Sequence, residues 1–125
     1  MLIDFSLRNF MSYRDEVSLS MVASKTVKEC EDNNGCSNII VTDKGNRYLR
    51  TAAIYGANGS GKSTIVAAMS IFKSIVLKSF VDESIVKRLS DLYYRFDKQS
   101  VDEPVSLQIM FVCDKTKYRY GFEVK

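Results

Sequence analysis

The chain has 125 residues, of which 46% are hydrophobic and 26% charged, the composition of one globular domain and not of a disordered segment. It contains no histidine, which excludes Ser-His-Asp and Cys-His nucleophilic chemistry and histidine-ligated metal sites. The net charge of +3, from 18 Lys and Arg against 15 Asp and Glu, is too small and too evenly spread to argue for nucleic acid by composition.

At the N-terminus, Ile3, Phe5 and Leu7 alternate with Asp4 and Ser6, which predicts a half-buried strand. Val17, Leu19 and Met21 repeat the pattern, and Asn9 to Asp15 form a connection of hairpin length between them. Residues 24–37 are polar and hold the turn signal Asp32-Asn33-Asn34-Gly35. Ile39-Ile40-Val41 reads as a short strand and Asp43-Lys44-Gly45-Asn46 as a turn. Tyr48 to Tyr55 then rises into Ala52-Ala53-Ile54-Tyr55, an unbroken apolar run that suits a strand buried on both faces.

Gly56 to Gly61 is too rich in glycine for regular structure. Lys62 to Phe80 is predicted as a helix whose apolar residues cover much of its circumference, as in a buried helix. Asp82 is a candidate N-cap for a second helix carrying Ile85, Val86, Leu89, Leu92 and Tyr93 on one face, ending between Leu92 and Phe96. After Pro104, Val105 to Cys113 and Tyr118 to Val124 are matched period-2 runs around a short polar turn, which predicts a β-hairpin.

Asp4 near the N-terminus and the lack of a long apolar run predict no secretory leader. Lys73 and Lys78 interrupt the most apolar stretch, so no membrane span is expected. Cys30, Cys36 and Cys113 are an odd set without a leader, which predicts reduced thiols and a cytoplasmic protein. Cys30 and Cys36 read as loop thiols, since a zinc site would need further ligands.

The strongest signal is Gly56-Ala57-Asn58-Gly59-Ser60-Gly61-Lys62-Ser63-Thr64, which matches the phosphate-binding pattern G-x-x-x-x-G-K-[ST] in full. The glycines permit positive φ and close backbone approach, so successive N–H groups can turn inward as an anion nest. The following helix points its positive dipole end at the same place. Lys62 is a point charge able to reach β and γ phosphates, and is the candidate catalytic group. Ser63 is the candidate Mg²⁺ ligand, and the Thr64 hydroxyl could bond an α-phosphate oxygen. A nucleotide with Mg²⁺ is the expected ligand, and the loop alone does not reveal which nucleotide.

Ile54 to Thr64 resembles the Walker A segment of ABC-type ATPases, where Asn-Gly-Ser-Gly-Lys-Ser/Thr is typical. A first strand followed by Arg8-Asn9-Phe10-Met11-Ser12-Tyr13 resembles the SMC, RecF and OLD branch. Leu49 to Asn58 and Tyr118 to Glu123 resemble bacterial AAA-type ATP-binding proteins of the RloA and AbiL kind. The resemblance implies an α/β P-loop NTPase fold: over residues 1–125, the N-terminal lobe of an ABC-type ATPase head with an antiparallel β layer. It implies MgATP binding, hydrolysis in the complete protein, a role in DNA maintenance or phage defence, and a homodimer formed through the heads. Members carry a signature motif, a Walker B strand with its glutamate, and a switch histidine, none of which is visible here. The chain is therefore expected to be a first lobe truncated before those motifs, one that binds ATP without turning it over. The alternatives are a small P-loop kinase and a regulatory fragment with a vestigial nucleotide site.

Other residues carry weaker signals. The resemblance implies that Asn9, Phe10, Ser12 and Tyr13 lie near adenine or ribose; the bland alternative is a hairpin connection with Phe10 in the core. Gln108 could be the family's Q-loop glutamine, but a mid-strand glutamine reads as part of a solvated face. Lys44, Arg47 and Arg50, and also Lys115, Lys117 and Arg119, are basic clusters able to meet DNA phosphates, although charged turn residues are ordinarily just solvated. Tyr118 and Tyr120 share a face with Phe122, with core packing the default over base stacking.

Overall fold

A computed structural model describes residues 1–25, 38–78 and 84–125. Cys30, Cys36, the Asp32–Gly35 turn, Phe80 and the Asp82 cap lie outside the described residues, as does the Ile85 side chain. The fold is α/β with an antiparallel sheet. Its elements run β1 (Leu2–Arg8), β2 (Val17–Ser20), β3 (Ile39–Val41), β4 (Arg47–Leu49), α1 (Lys62–Lys78), α2 (Ser84–Ser90), β5 (Val105–Cys113) and β6 (Thr116–Val124), with a 3₁₀ turn at Ser100–Asp102.

Four strands form the main sheet in the order β2-β1-β5-β6, antiparallel throughout. Alternation decides its two faces. Phe5 and Leu7 on β1, and Val105 and Leu107 on β5, point to one side and are buried. They pack with Ile65, Ala68, Phe72 and Ile75 of α1 and Leu89 of α2. Phe72 is the centre of this layer: its ring stacks on Phe122 at 5.1 Å and meets Phe5 edge-on at 5.8 Å. Asp4, Ser6, Ser106, Gln108 and Arg119 alternate to the opposite, polar face.

The β5–β6 hairpin closes between Cys113 and Thr116, with Asp114 at φ 48° and Lys115 at φ 63°. Positive φ at both central residues is the signature of a type I′ turn, whose twist matches that of its strands. β3 and β4 form a separate two-stranded ribbon. It hangs from the main sheet through residues 21–23: Met21 N–H donates to Ile3 C=O, and Leu49 N–H donates to Met21 C=O.

Three sequence expectations differ from the structure. Residues 52–55 are not a buried strand; they form no strand and are exposed, with Tyr55 at 93%. A strand buried on both faces needs a sheet position between neighbours and layers above and below. Neither sheet among the described residues includes it. The last anchor is Asn38, whose side-chain oxygen accepts from the Thr51 N–H at 3.0 Å and the Thr51 hydroxyl at 2.8 Å. The second difference is in α1, which buries one stripe only, leaving Val66, Val76 and Leu77 exposed on its far side. The sheet covers a single helix face, and the described residues supply no layer beyond it. The helix after Ser84 also stops at Ser90, short of the expected Leu92.

Candidate functional site

The glycine-rich segment lies between the exposed run 52–55 and the first turn of α1. Gly59 and Gly61 take φ of +82° and +87°, the left-handed region that side chains disfavour. Gly61 has a second constraint, since a Cβ there would sit 2.7 Å from the Tyr13 hydroxyl. The bend is closed by Ser60 N–H to Ala57 C=O at 3.3 Å and by Thr64 N–H to Gly61 C=O at 3.0 Å.

Lys62 turns back over this bend. Its ammonium donates to Gly56 C=O at 2.7 Å and Ala57 C=O at 2.6 Å, with the Ser60 hydroxyl 3.4 Å away. Beside it lies a hollow of about 290 Å³ lined by Ser12, Asn58, Gly59, Ser60, Gly61, Lys62, Ser63 and Thr64. No carboxylate is in that lining, and the first turn of α1 carries no acid. The helix dipole, the N-terminal N–H groups and Lys62 therefore add with the same sign. That donor set suits an anion with several oxygens. Ser63 is exposed at the rim. Among the described residues no cluster of three or more His, Cys, Asp or Glu gathers to hold a metal. A hard cation held by one hydroxyl needs further oxygens from the ligand or water, and phosphate would supply them.

Thr64 is buried, and its hydroxyl is hydrogen-bonded to that of Ser12 at 2.9 Å. The connection after β1 thus forms one wall of the hollow, and its residues divide by role. Asn9 and Phe10 are fully buried and structural. The Asn9 amide donates to Ser100 C=O and Glu103 C=O at 2.8 Å each, and its oxygen accepts from Tyr94 N–H at 3.0 Å. Ser12 and Tyr13 instead touch the glycine-rich bend. Both sets were visible as residue types, but the left-handed backbone of Asn9 and Met11, at φ 50° and 49°, was not.

Gln108 lies on the polar face of the sheet, where it accepts from Arg119 Nε at 2.8 Å. Tyr120 and Phe122 pack around Phe72, while Tyr118 stacks on Phe111 at 5.5 Å. Of the basic clusters, Lys115 at the hairpin tip pairs with Asp43, the residue before Lys44, at 2.9 Å. Cys113 is an exposed free thiol at the hairpin end. No helix among the described residues is long and apolar enough to cross a membrane.

Residues 52–125, more than half of the chain, match the family model described as AAA domain, putative AbiEii toxin, Type IV TA system. The chain belongs to this family. Membership makes it an AAA-type P-loop protein and implies nucleotide binding in general. The matched part of the AAA domain holds the glycine-rich bend, both helices and the β5–β6 hairpin, whereas β1 to β4 precede it. No curated protein matches the sequence.

Proposed function

We propose that this AAA domain binds MgATP with its phosphates in the hollow at Gly56 to Thr64, as part of an ABC-like ATPase head of the SMC, RecF and OLD branch. The observation that carries the reading is the Lys62 ammonium folded onto the carbonyls of its own loop, beside N–H groups with no carboxylate opposing them. A cation in that position exchanges carbonyl oxygens for phosphate oxygens with little movement of its stem, and the bonds it gains are charge-assisted on both sides. Backbone N–H groups of the bend and of the first turn of α1 bind the remaining oxygens. Ser63 holds the metal. Bound Mg²⁺ would neutralise and orient the β and γ phosphates. The Asn-Gly-Ser-Gly-Lys-Ser sequence and the Asn-Phe-Met-Ser-Tyr segment beside it support the branch. Pairing of heads in a homodimer belongs to the same reading.

Titration calorimetry with ATP, with and without Mg²⁺, tests it. Lys62→Ala is expected to lose roughly 1.5–3 kcal/mol of binding free energy, the range for hydrogen bonds to charged groups. Ser63→Ala is expected to weaken the Mg²⁺-dependent part of affinity more than the metal-free part. Equal affinities for wild type and Lys62→Ala would end the proposal. ATP binding indifferent to Mg²⁺ would remove the role of Ser63.

A further inference from the structure

Next to the phosphate hollow is a second cleft, of about 500 Å³, lined by Met11, Ser12, Thr64, Asp91, Leu92, Tyr93, Arg95 and Phe96. Ser12 and Thr64 line both spaces, so the two adjoin on either side of the hydrogen-bonded hydroxyl pair. The wall of the cleft is chemically unlike the hollow. It offers two aromatic side chains, Tyr93 and Phe96, the apolar Met11 and Leu92, the Asp91 carboxylate and the Arg95 guanidinium, where the hollow offers N–H groups and an ammonium.

Phe96 is the telling residue. The residue is 85% exposed, whereas Phe5, Phe10 and Phe72 are buried in the core. It is held in place: its ring lies 5.5 Å from that of Tyr94, whose N–H donates to buried Asn9. Met11 N–H donates to Leu92 C=O at 2.7 Å, which fixes the segment against the connection after β1. Arg95 folds back, with Nη2 donating to Asp91 C=O at 3.0 Å and its guanidinium 5.8 Å from the Tyr93 ring centroid. The cleft wall is thus tied at several points, with one aromatic face left open.

We propose that this cleft takes the base of the nucleotide, with Phe96 stacking on the base and Asp91 accepting a hydrogen bond from an exocyclic amino group. The proposal rests on the phosphate reading, because the position directly beside the hollow, across Ser12 and Thr64, is what selects a nucleobase as occupant. A flat, weakly hydrated heterocycle gains by covering an exposed aromatic ring, and such stacking depends on the π-face more than on base identity. The amino-group contact to Asp91 adds preference for bases that carry one.

The test compares MgATP with inorganic tripolyphosphate, which has the phosphates and no base, on the 125-residue chain and its variants. Wild type is expected to bind both, ATP more tightly. Phe96→Ala is expected to lose about tenfold in ATP affinity and to keep tripolyphosphate affinity. Phe96→Tyr, which retains the ring face, is expected to keep ATP affinity. If Phe96→Ala binds ATP as wild type does, or weakens both ligands equally, the base site is overturned while the phosphate reading stands. If wild type binds neither ligand, the phosphate reading fails and takes the base site with it.

Discussion

The hydroxyls of Ser12 and Thr64 lie 2.9 Å apart and form one hydrogen bond between the connection after β1 and the first turn of α1. The bond joins a part of the chain that precedes the AAA match to a part inside it. It also holds the Met11–Ser12 turn, closed by reciprocal bonds between Phe10 and Tyr13, against the glycine-rich bend. The hollow and its neighbouring cleft are therefore built from two segments that fold together.

Gly61→Ala should show how tight that junction is. The new methyl group meets both an unfavourable φ of +87° and the Tyr13 hydroxyl at 2.7 Å. The left-handed backbone alone costs roughly 1–2 kcal/mol for a residue with a Cβ. Lower thermal stability and loss of ATP binding are the expected outcome. Adding Tyr13→Ala should recover part of the stability, because it removes the contact and leaves the φ cost. No recovery in the double variant would show that the contact with Tyr13 contributes nothing.

Asn9→Ala should be among the most destabilising single changes in the protein. It removes three hydrogen bonds from a fully buried amide and strands Ser100 C=O, Glu103 C=O and Tyr94 N–H. With unpaired buried groups costing roughly 1–3 kcal/mol each and partial relief by water, a loss of about 2–4 kcal/mol is expected. Urea denaturation measures it. A change below about 1 kcal/mol, the net worth of a single ordinary hydrogen bond, would show that the amide is not the anchor described.

Lys115→Gly should stabilise the chain. Both central residues of the β5–β6 turn have positive φ, and glycine at the second position is the residue such turns favour. The substitution also removes the pair with Asp43, but both side chains are almost fully exposed and such pairs contribute little. A gain of up to about 1 kcal/mol in chemical denaturation is expected. Destabilisation would mean that the surface pair outweighs the backbone term.

The 125-residue chain should bind ATP without hydrolysing it. Attack by water needs a group that orients it or takes its proton. The lining of the glycine-rich hollow has hydroxyls, one amide side chain, N–H groups and an ammonium, and no carboxylate or imidazole. A phosphate-release assay should give the same rate for wild type and Lys62→Ala. Steady release that depends on Lys62 would favour a self-contained P-loop enzyme.

Local periodicity made β1, β2, β5, β6 and α1 legible, because alternation and helical spacing are properties of neighbouring residues. The glycine-rich bend was legible for the same reason: glycines and Lys62 occur at fixed offsets within one short stretch. Ala52 to Tyr55 misled, since apolarity records a demand for burial and says nothing of which strand supplies it. The contact of Tyr13 with Gly61, the role of Asn9 and the cleft at Phe96 depend on residues far apart in the chain. The composition of Tyr93-Tyr94-Arg95-Phe96 hints at a surface of interest but not at its neighbour.

The clasp of Lys62 on Gly56 and Ala57 gives the loop a restraint of its own. Removing the ammonium takes away the proposed phosphate contact and also releases two carbonyls that restrain the bend. Lys62→Ala should then speed amide hydrogen exchange at Ser60, whose N–H rests on the Ala57 carbonyl, in protein that has never met a nucleotide. The loss of affinity in that variant would include the entropy of ordering a loosened loop as well as one missing charge.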